Sequence, residues 1–205
     1  MKKIVYLLMT TEKYLERQTN ILSTWGKDID LYFYSEHEDN ENKVIKVCDE
    51  NNVEVKQVSI FKKIKELLHN EYEWYFFGDD DTFVNTEKLN LELDLLDKDI
   101  IYGQDIFGCY GDLHYPSGGA GFLVSNKIIE NFFDSKIYNV GYGDVTFGLN
   151  IRDKGLSFKN HSGFFSQNPS HYGINDIDCY NHITFHYIKS ISQLTNMNNA
   201  CKFKK

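Results

Sequence analysis

Along the first hundred residues, short apolar runs alternate with longer amphipathic stretches. Ile4–Thr10 is a continuous apolar run, the pattern of a strand buried on both faces. Tyr14, Leu15, Ile21 and Leu22 then recur at helical spacing within 12–25. Leu31–Tyr34 is a second apolar strand, and the polar run 35–43 after it reads as a solvated loop or helix start. Residues 44–49 look helical, and 53–58 (VEVKQV) alternate as a strand does. Phe61, Ile64, Leu67 and Leu68 share one face of a helix over 61–69. Trp74–Phe77 is a third strand, Thr86 is placed to cap a leucine-rich helix, and 100–102 is a further strand.

This alternation predicts an α/β fold: a mostly parallel central sheet with helices on both faces. In such sheets ligands bind beyond the carboxyl ends of the strands. After Gly103 the pattern changes. Glycine and tyrosine crowd 103–122, helices are expected over 125–133 and 144–154, and 157–190 is loop-rich and holds most of the histidines. The expected organisation is one domain over 1–205: a nucleotide-type half over about 1–103, a substrate half over about 104–190, and a helix or tail over 191–205.

A formal net charge of −8 on 205 residues disfavours nucleic acid and anionic membrane as partners. An anionic substrate would then need a bound cation to neutralise it locally. Cys48, Cys109, Cys179 and Cys201 include no CxxC pair and read as reduced thiols of a cytosolic protein. The opening MKKIVYLLMTTEKY imitates a signal peptide, but its apolar run is short and Glu12, Lys13, Glu16 and Arg17 follow at once, so a first strand is expected. No run approaches the ~20 apolar residues of a membrane span. The expected location is cytoplasmic, and the chain is compatible with being part of a longer multidomain protein.

The third strand carries the chemistry. WYFFGDDDTFVN (74–85) runs straight into Asp79, Asp80 and Asp81. Asp79-x-Asp81 puts two carboxylates on one side of an extended chain, and hard divalent cations favour such oxygens together with substrate phosphates. A solvated acidic turn or a helix-capping cluster is the alternative. Three further stretches stand out. Glycines 118, 119 and 121 in PSGGAGF permit close backbone approach, with or without a ligand, and match neither a Walker loop nor a dinucleotide fingerprint. Asp144 in GYGDVTFG stands at a helix start, as a cap or as a base. His171 and His186 lie in NPSHY and ITFHY, as structural residues or as ligands.

In this order, the set resembles the Fringe and core-1 galactosyltransferase relatives of glycosyltransferase family 31. The likeness runs over roughly 4–190: the Thr10-Thr11 turn, Arg17 with Thr24-Trp25, WYFFGDDDTFVN, SGGAGFLVS, GDVTFG and DCYNHITFHYI. It implies the glycosyltransferase A fold and an inverting, metal-dependent transfer of a hexose-type sugar. The donor would be a nucleotide sugar, a UDP-sugar in most of the family, with Mn²⁺ or Mg²⁺; the acceptor would be a hydroxyl of a glycan or glycoconjugate. Carried over, Asp81 binds the metal with Asp79 and His171, His186 being the second choice of histidine. Asp79 and Asp80 hold the ribose or metal-bound water, Thr10, Thr11 and Arg17 line the nucleotide pocket, Gly118, Gly119 and Ala120 approach the donor sugar, and Asp144 is the general base. Fringe proteins carry a histidine where this chain has Ser166, and animal members carry a membrane anchor and lumenal disulfides, whereas here no anchor is expected and cysteines are few. A bacterial or viral relative is the expectation. A non-catalytic nucleotide-sugar binder and a metal-dependent nucleotide-sugar hydrolase are the rival readings.

Overall fold

The computed structural model describes residues 2–203; the last two positions of the expected tail lie outside it. The elements, in chain order, are β1 (Lys2–Met9), α1 (Leu15–Ser23), β2 (Leu31–Ser35), β3 (Val44–Lys46), α2 (Val53–Leu67), β4 (Tyr72–Asp79), β5 (Phe83–Val84), α3 (Thr86–Glu92), β6 (Ile100–Gly103), β7 (Asp105–Ile106), β8 (Tyr115–Pro116), β9 (Phe122–Ser125), α4 (Gly143–Asp153), β10 (Ser157–Asn160), β11 (Phe164–Phe165), β12 (Thr184–Phe185) and α5 (Ile191–Phe203). Seven of the strands form one sheet in the order β10–β6–β9–β4–β1–β2–β3. Its pairings are parallel except on either side of β9, which runs against both β4 and β6.

Both faces of the sheet are covered, as expected for continuous apolar strands. Ile4, Tyr6, Leu8, Trp74 and Phe76 face one way, into a cluster with residues of α1, α3 and α5. Val5, Leu7, Tyr75 and Phe77 face the other way, against α2 and α4. On that second face the Phe61 ring meets Phe77, Phe132 and Phe147 at centroid distances of 5.2, 5.1 and 5.7 Å. No helix among the described residues is long and apolar enough to cross a membrane.

The structure corrects four local expectations. Residues 44–46 form the edge strand β3 beside β2, not a helix. Residues 53–58 are the first turns of α2, not a strand; Asn52 caps it by accepting from the N–H groups of Glu54 and Val55. Their alternation misleads because α2 buries Glu54, Lys56 and Gln57 and leaves Val53 exposed. Asn85, not Thr86, caps α3, accepting from the Lys88 N–H. Over 125–133 only residues 129–132 are helical, as a single tight 3₁₀ segment after β9.

Phe61→Ala should cost about 3–5 kcal/mol, because three rings would line the resulting cavity. Urea unfolding measures it, and a loss below about 1 kcal/mol would show that this ring cluster does not carry the helix–sheet packing.

Candidate functional site

Strands β1 and β4 stop side by side, Met9 opposite Asp79. The turn after β4 folds over that edge, with the Asp80 N–H donating to the Met9 carbonyl at 3.1 Å. Three carboxylates leave one strand end, and each meets different surroundings. Asp80 points inward, accepting from Thr10 Oγ1 at 2.6 Å and from Arg17 Nη1 at 2.8 Å. Asp81 is also buried and accepts from Arg17 at 3.3 Å; its other oxygen lies 2.9 Å from His186 Nε2. The Asp79 carboxylate, 38% accessible, opens on a cavity with His186 Nε2 3.7 Å away. Withdrawal from bulk water, partly opposed by His186, and reinforced by Asp81, Asp80 and Asp144, pushes the Asp79 pKa up to about 7. Burial also raises Asp80 against the pull of Thr10 and Arg17. For Asp81 the burial penalty is outweighed by His186, Arg17 and Lys189, and its pKa falls.

His186 arrives from the far end of the chain. It follows β12 directly, and β12 pairs antiparallel with β5, Phe185 opposite Phe83, just past the aspartate turn. The Ile188 N–H then donates to the Asp81 carbonyl at 2.9 Å. On the ring's other nitrogen, Nδ1 lies 3.3 Å from the Ser166 carbonyl. In the neutral ring that contact favours the tautomer with its Nε2 lone pair toward the aspartates. Burial alone would lower the His186 pKa, but Asp81 and Asp79 raise it. Asp79, Asp81 and His186 each offer a ligand atom, all within 4.8 Å of one another. Two carboxylates and a backbone-oriented imidazole are a donor set that suits a divalent cation.

The glycine loop reaches the same edge because β9 is antiparallel: its first residue pairs with Phe77, two residues before the end of β4, and with Gly103, the end of β6. Gly119 must lack a side chain, since an added Cβ would overlap the His186 ring. Thr82 ties this loop to the aspartate turn; its hydroxyl donates to the Gly119 carbonyl at 2.9 Å and accepts from the Asp79 N–H at 3.1 Å. Gly121 adopts φ +78° with Phe76 and Phe77 packed behind it. Asp144 stands in the first turn of α4. Its Oδ1 accepts from the Val145 N–H at 2.9 Å, while Oδ2 has only a 3.3 Å contact from the Gly118 N–H. Burial outweighs both bonds and raises its pKa.

Two cavities meet at this centre, sharing Met9, Val53, Asp79 and His186. One, of about 460 Å³, is lined by Thr10, Thr11, Arg17 and Lys56 and by Asp80 and Asp81. The other, of about 490 Å³, is lined by Gly118, Gly119, Tyr142 and Asp144. Ala120 is fully buried and instead anchors the loop, its carbonyl accepting from Thr184 Oγ1 at 2.6 Å. His171 is not brought to the aspartates. It sits exposed on the short turn Pro169–Tyr172, its ring edge-on to Tyr172, and His186 stands where His171 was expected. A further polar unit went unnoticed in the sequence. Lys56 is buried and reaches Glu36 at 2.6 Å and the Thr10 carbonyl and Asn51 at 2.8 Å. Thr11 Oγ1 donates to the same Glu36 at 2.7 Å.

No protein-family model matches the chain. Among solved structures, 96% of it is similar to 99% of a glycosyltransferase involved in the glycosylation of the major capsid of PBCV-1, at 12% identity and a TM-score of 0.58. It is also similar, at 16% identity and a TM-score of 0.47, to a mutant Drosophila β1,4-galactosyltransferase 7 in complex with manganese, UDP-Gal and xylobiose; that match covers 78% of this chain and 65% of that one. The end-to-end likeness to the viral enzyme shows the fold, the glycosyltransferase A architecture.

The Lys56–Glu36 pair predicts a pH dependence. Burial disfavours ionised Glu36, but Lys56, Thr11 and Ser35 outweigh it and hold its pKa at about 2, against 4.5 for a free glutamate. A depressed folded-state pKa stabilises above the unfolded value and loses that contribution as pH falls from about 4.5 to about 2. Glu36→Gln should therefore be less stable than the parent by on the order of 2 kcal/mol at pH 7, and the two should converge toward pH 2–3. A gap that stays constant from pH 7 to pH 3 in denaturant titrations would contradict this pairing.

Proposed function

We propose that the protein is a metal-dependent, inverting glycosyltransferase that moves a hexose-type sugar from a nucleotide sugar, a UDP-sugar by its likeness to family 31, to a hydroxyl of a glycan or glycoconjugate. The observation that carries this reading is the position of Asp79, Asp81 and His186 between a cavity lined by Arg17 and Lys56 and a cavity holding Asp144. The first cavity suits the nucleoside diphosphate, because Thr11 and Lys13 line it beside the three candidate cation ligands. The second suits the sugar and the incoming hydroxyl, because glycine backbone and a carboxylate line it.

Asp79, Asp81 and His186 would hold Mn²⁺ or Mg²⁺, and neutralisation of the departing diphosphate is the chemistry such a cation supplies. Thr10 and Arg17 fix Asp80 and thereby the turn that presents its two neighbours. Gly118 and Gly119 let the donor sugar lie against backbone. Asp144 takes the acceptor proton at Oδ2, the oxygen with the longer and weaker hydrogen bond, while Val145 steadies Oδ1. Its raised pKa strengthens it as a base, and general-base help is typically worth 10²–10⁴-fold. Holding donor and acceptor across the shared boundary supplies the in-line geometry.

His186→Ala should abolish Mn²⁺-dependent binding of UDP, and Gly119→Ala should weaken it by displacing the same ring; titration calorimetry with UDP, with and without Mn²⁺, reads both. Unchanged Mn²⁺-dependent binding in His186→Ala would remove the metal assignment. Asp144→Asn should keep donor binding and lose ~10²-fold or more in transfer. Full transfer by that variant would remove the base assignment. Free sugar released equally with and without acceptor would mark a hydrolase instead.

A further inference from the structure

Of the four exposed phenylalanine and tyrosine side chains among the described ones, two line the cavity of Asp144. The four are Phe107, Tyr110, Tyr142 and Tyr187, 60%, 41%, 63% and 46% accessible. Tyr142 and Tyr187 line the cavity directly. Phe107 and Tyr110 belong to the hairpin of β7 and β8, whose paired residues Ile106 and Tyr115 line it too. Phe107 is braced, its ring stacked on His114 at 4.3 Å, and His114 is held in turn by Asp105 at 2.7 Å. With Phe107 taken up by His114 and the Tyr187 ring stacked on His186 at 3.8 Å, Tyr142 is the open ring that lines the cavity. The two cavities also differ in charge. Lys13, Arg17 and Lys56 line the first, whereas no lysine or arginine lines the second, whose carboxylates are Asp79 and Asp144. The one ammonium nearby, Lys189, lies over the Tyr187 ring at 5.3 Å and 3.9 Å from Asp81, so its charge is already directed inward.

We infer that the acceptor is an uncharged sugar whose apolar ring face rests on Tyr142, with its attacking hydroxyl turned to Asp144. This rests on the glycosyltransferase reading above and narrows it. Exposed rings are poorly solvated surfaces that an amphipathic sugar ring covers well. A uronate or sialate would instead meet two carboxylates with no cation to pair with.

The test is glycan binding in the presence of UDP and Mn²⁺. Hexose-, pentose- and N-acetylhexosamine-terminated oligosaccharides are compared with uronate- and sialate-terminated ones, each both free and peptide-linked, on the parent and on Tyr142→Ala and Phe107→Ala. Both side chains are exposed, so truncation leaves the core intact. Neutral glycans should bind, acidic ones should not, and Tyr142→Ala should lose roughly tenfold in neutral-glycan affinity while Phe107→Ala, outside the cavity lining, keeps it. The free and peptide-linked arms tell which source is preferred. Preferential binding of acidic glycans, unchanged affinity in Tyr142→Ala, or loss of UDP–Mn²⁺ binding along with the glycan would overturn the inference. Mn²⁺-dependent UDP binding by the parent with no glycan bound would also overturn it, leaving the donor-site assignment standing. Absence of Mn²⁺-dependent UDP binding would defeat the metal-dependent donor reading itself, together with the inference that rests on it.

Discussion

Mutual repulsion of three adjacent carboxylates at the end of a buried strand is the constraint around which this molecule is arranged. At close range such pairs repel by about 4 kcal/mol near a protein surface. The fold answers by sending each carboxylate to a different element. Asp80 goes to Thr10 and Arg17, binding the turn to β1 and α1. Asp81 goes to Arg17 and His186, binding it to β12. Asp79 is left without a side-chain hydrogen bond among the described residues and faces the cavities. The cluster therefore organises elements from residue 10 to residue 186 and leaves one carboxylate for a ligand.

Much of this was legible in the sequence, for a physical reason. A strand buried on both faces must be apolar throughout, so β1 and β4 announce themselves, and a run of aspartates directly after one of them has to lie at the sheet's carboxyl edge. The same reasoning reaches the glycine loop only in part. Nothing in SGGAGFLVS says that β9 runs antiparallel, yet that reversal is what carries residues 117–121 to the aspartates. The misread segment 53–58 has a more specific cause. Pattern reading assumes polar means outward, but Glu54, Lys56 and Gln57 turn inward. Lys56 does so to meet Glu36 and the Thr10 carbonyl. A buried ion pair is invisible to hydrophobic periodicity and inverts it locally.

The choice between the two histidines shows the same boundary. His171 follows a proline in a polar stretch and lies on an exposed turn. His186 ends a short apolar run, ITF, which pairs with β5 directly after the aspartates. The signal was present: an apolar run ending in a histidine repeats the arrangement of an apolar run ending in aspartates. What the sequence lacked was the pairing of β12 with β5 across about a hundred residues, and with it the reason that position 119 admits no side chain. Tyr187 adds a local cost, since its backbone sits at φ +59°, a conformation a bulky side chain adopts only where its surroundings impose it. The Ile188 N–H bond to Asp81 on one side and the stack on His186 on the other do so here.

Charge accounting then bears on why the proposed donor would need a cation at all. Arg17 and Lys56 line the first cavity, but neither is free to neutralise a diphosphate. Arg17 is committed to Asp80 and Asp81, and Lys56 to Glu36. Drawing either away would leave a carboxylate inside the protein without its counter-charge, which costs several kcal/mol. Asp79 and Asp81, moreover, face the position a diphosphate would approach and would repel it. A divalent ion held by these two carboxylates and His186 would cancel their two negative charges without disturbing either pair. On that argument the acidic net charge and an anionic donor would be reconciled at a single point, while Arg17 positions the aspartates and Lys56 holds Glu36.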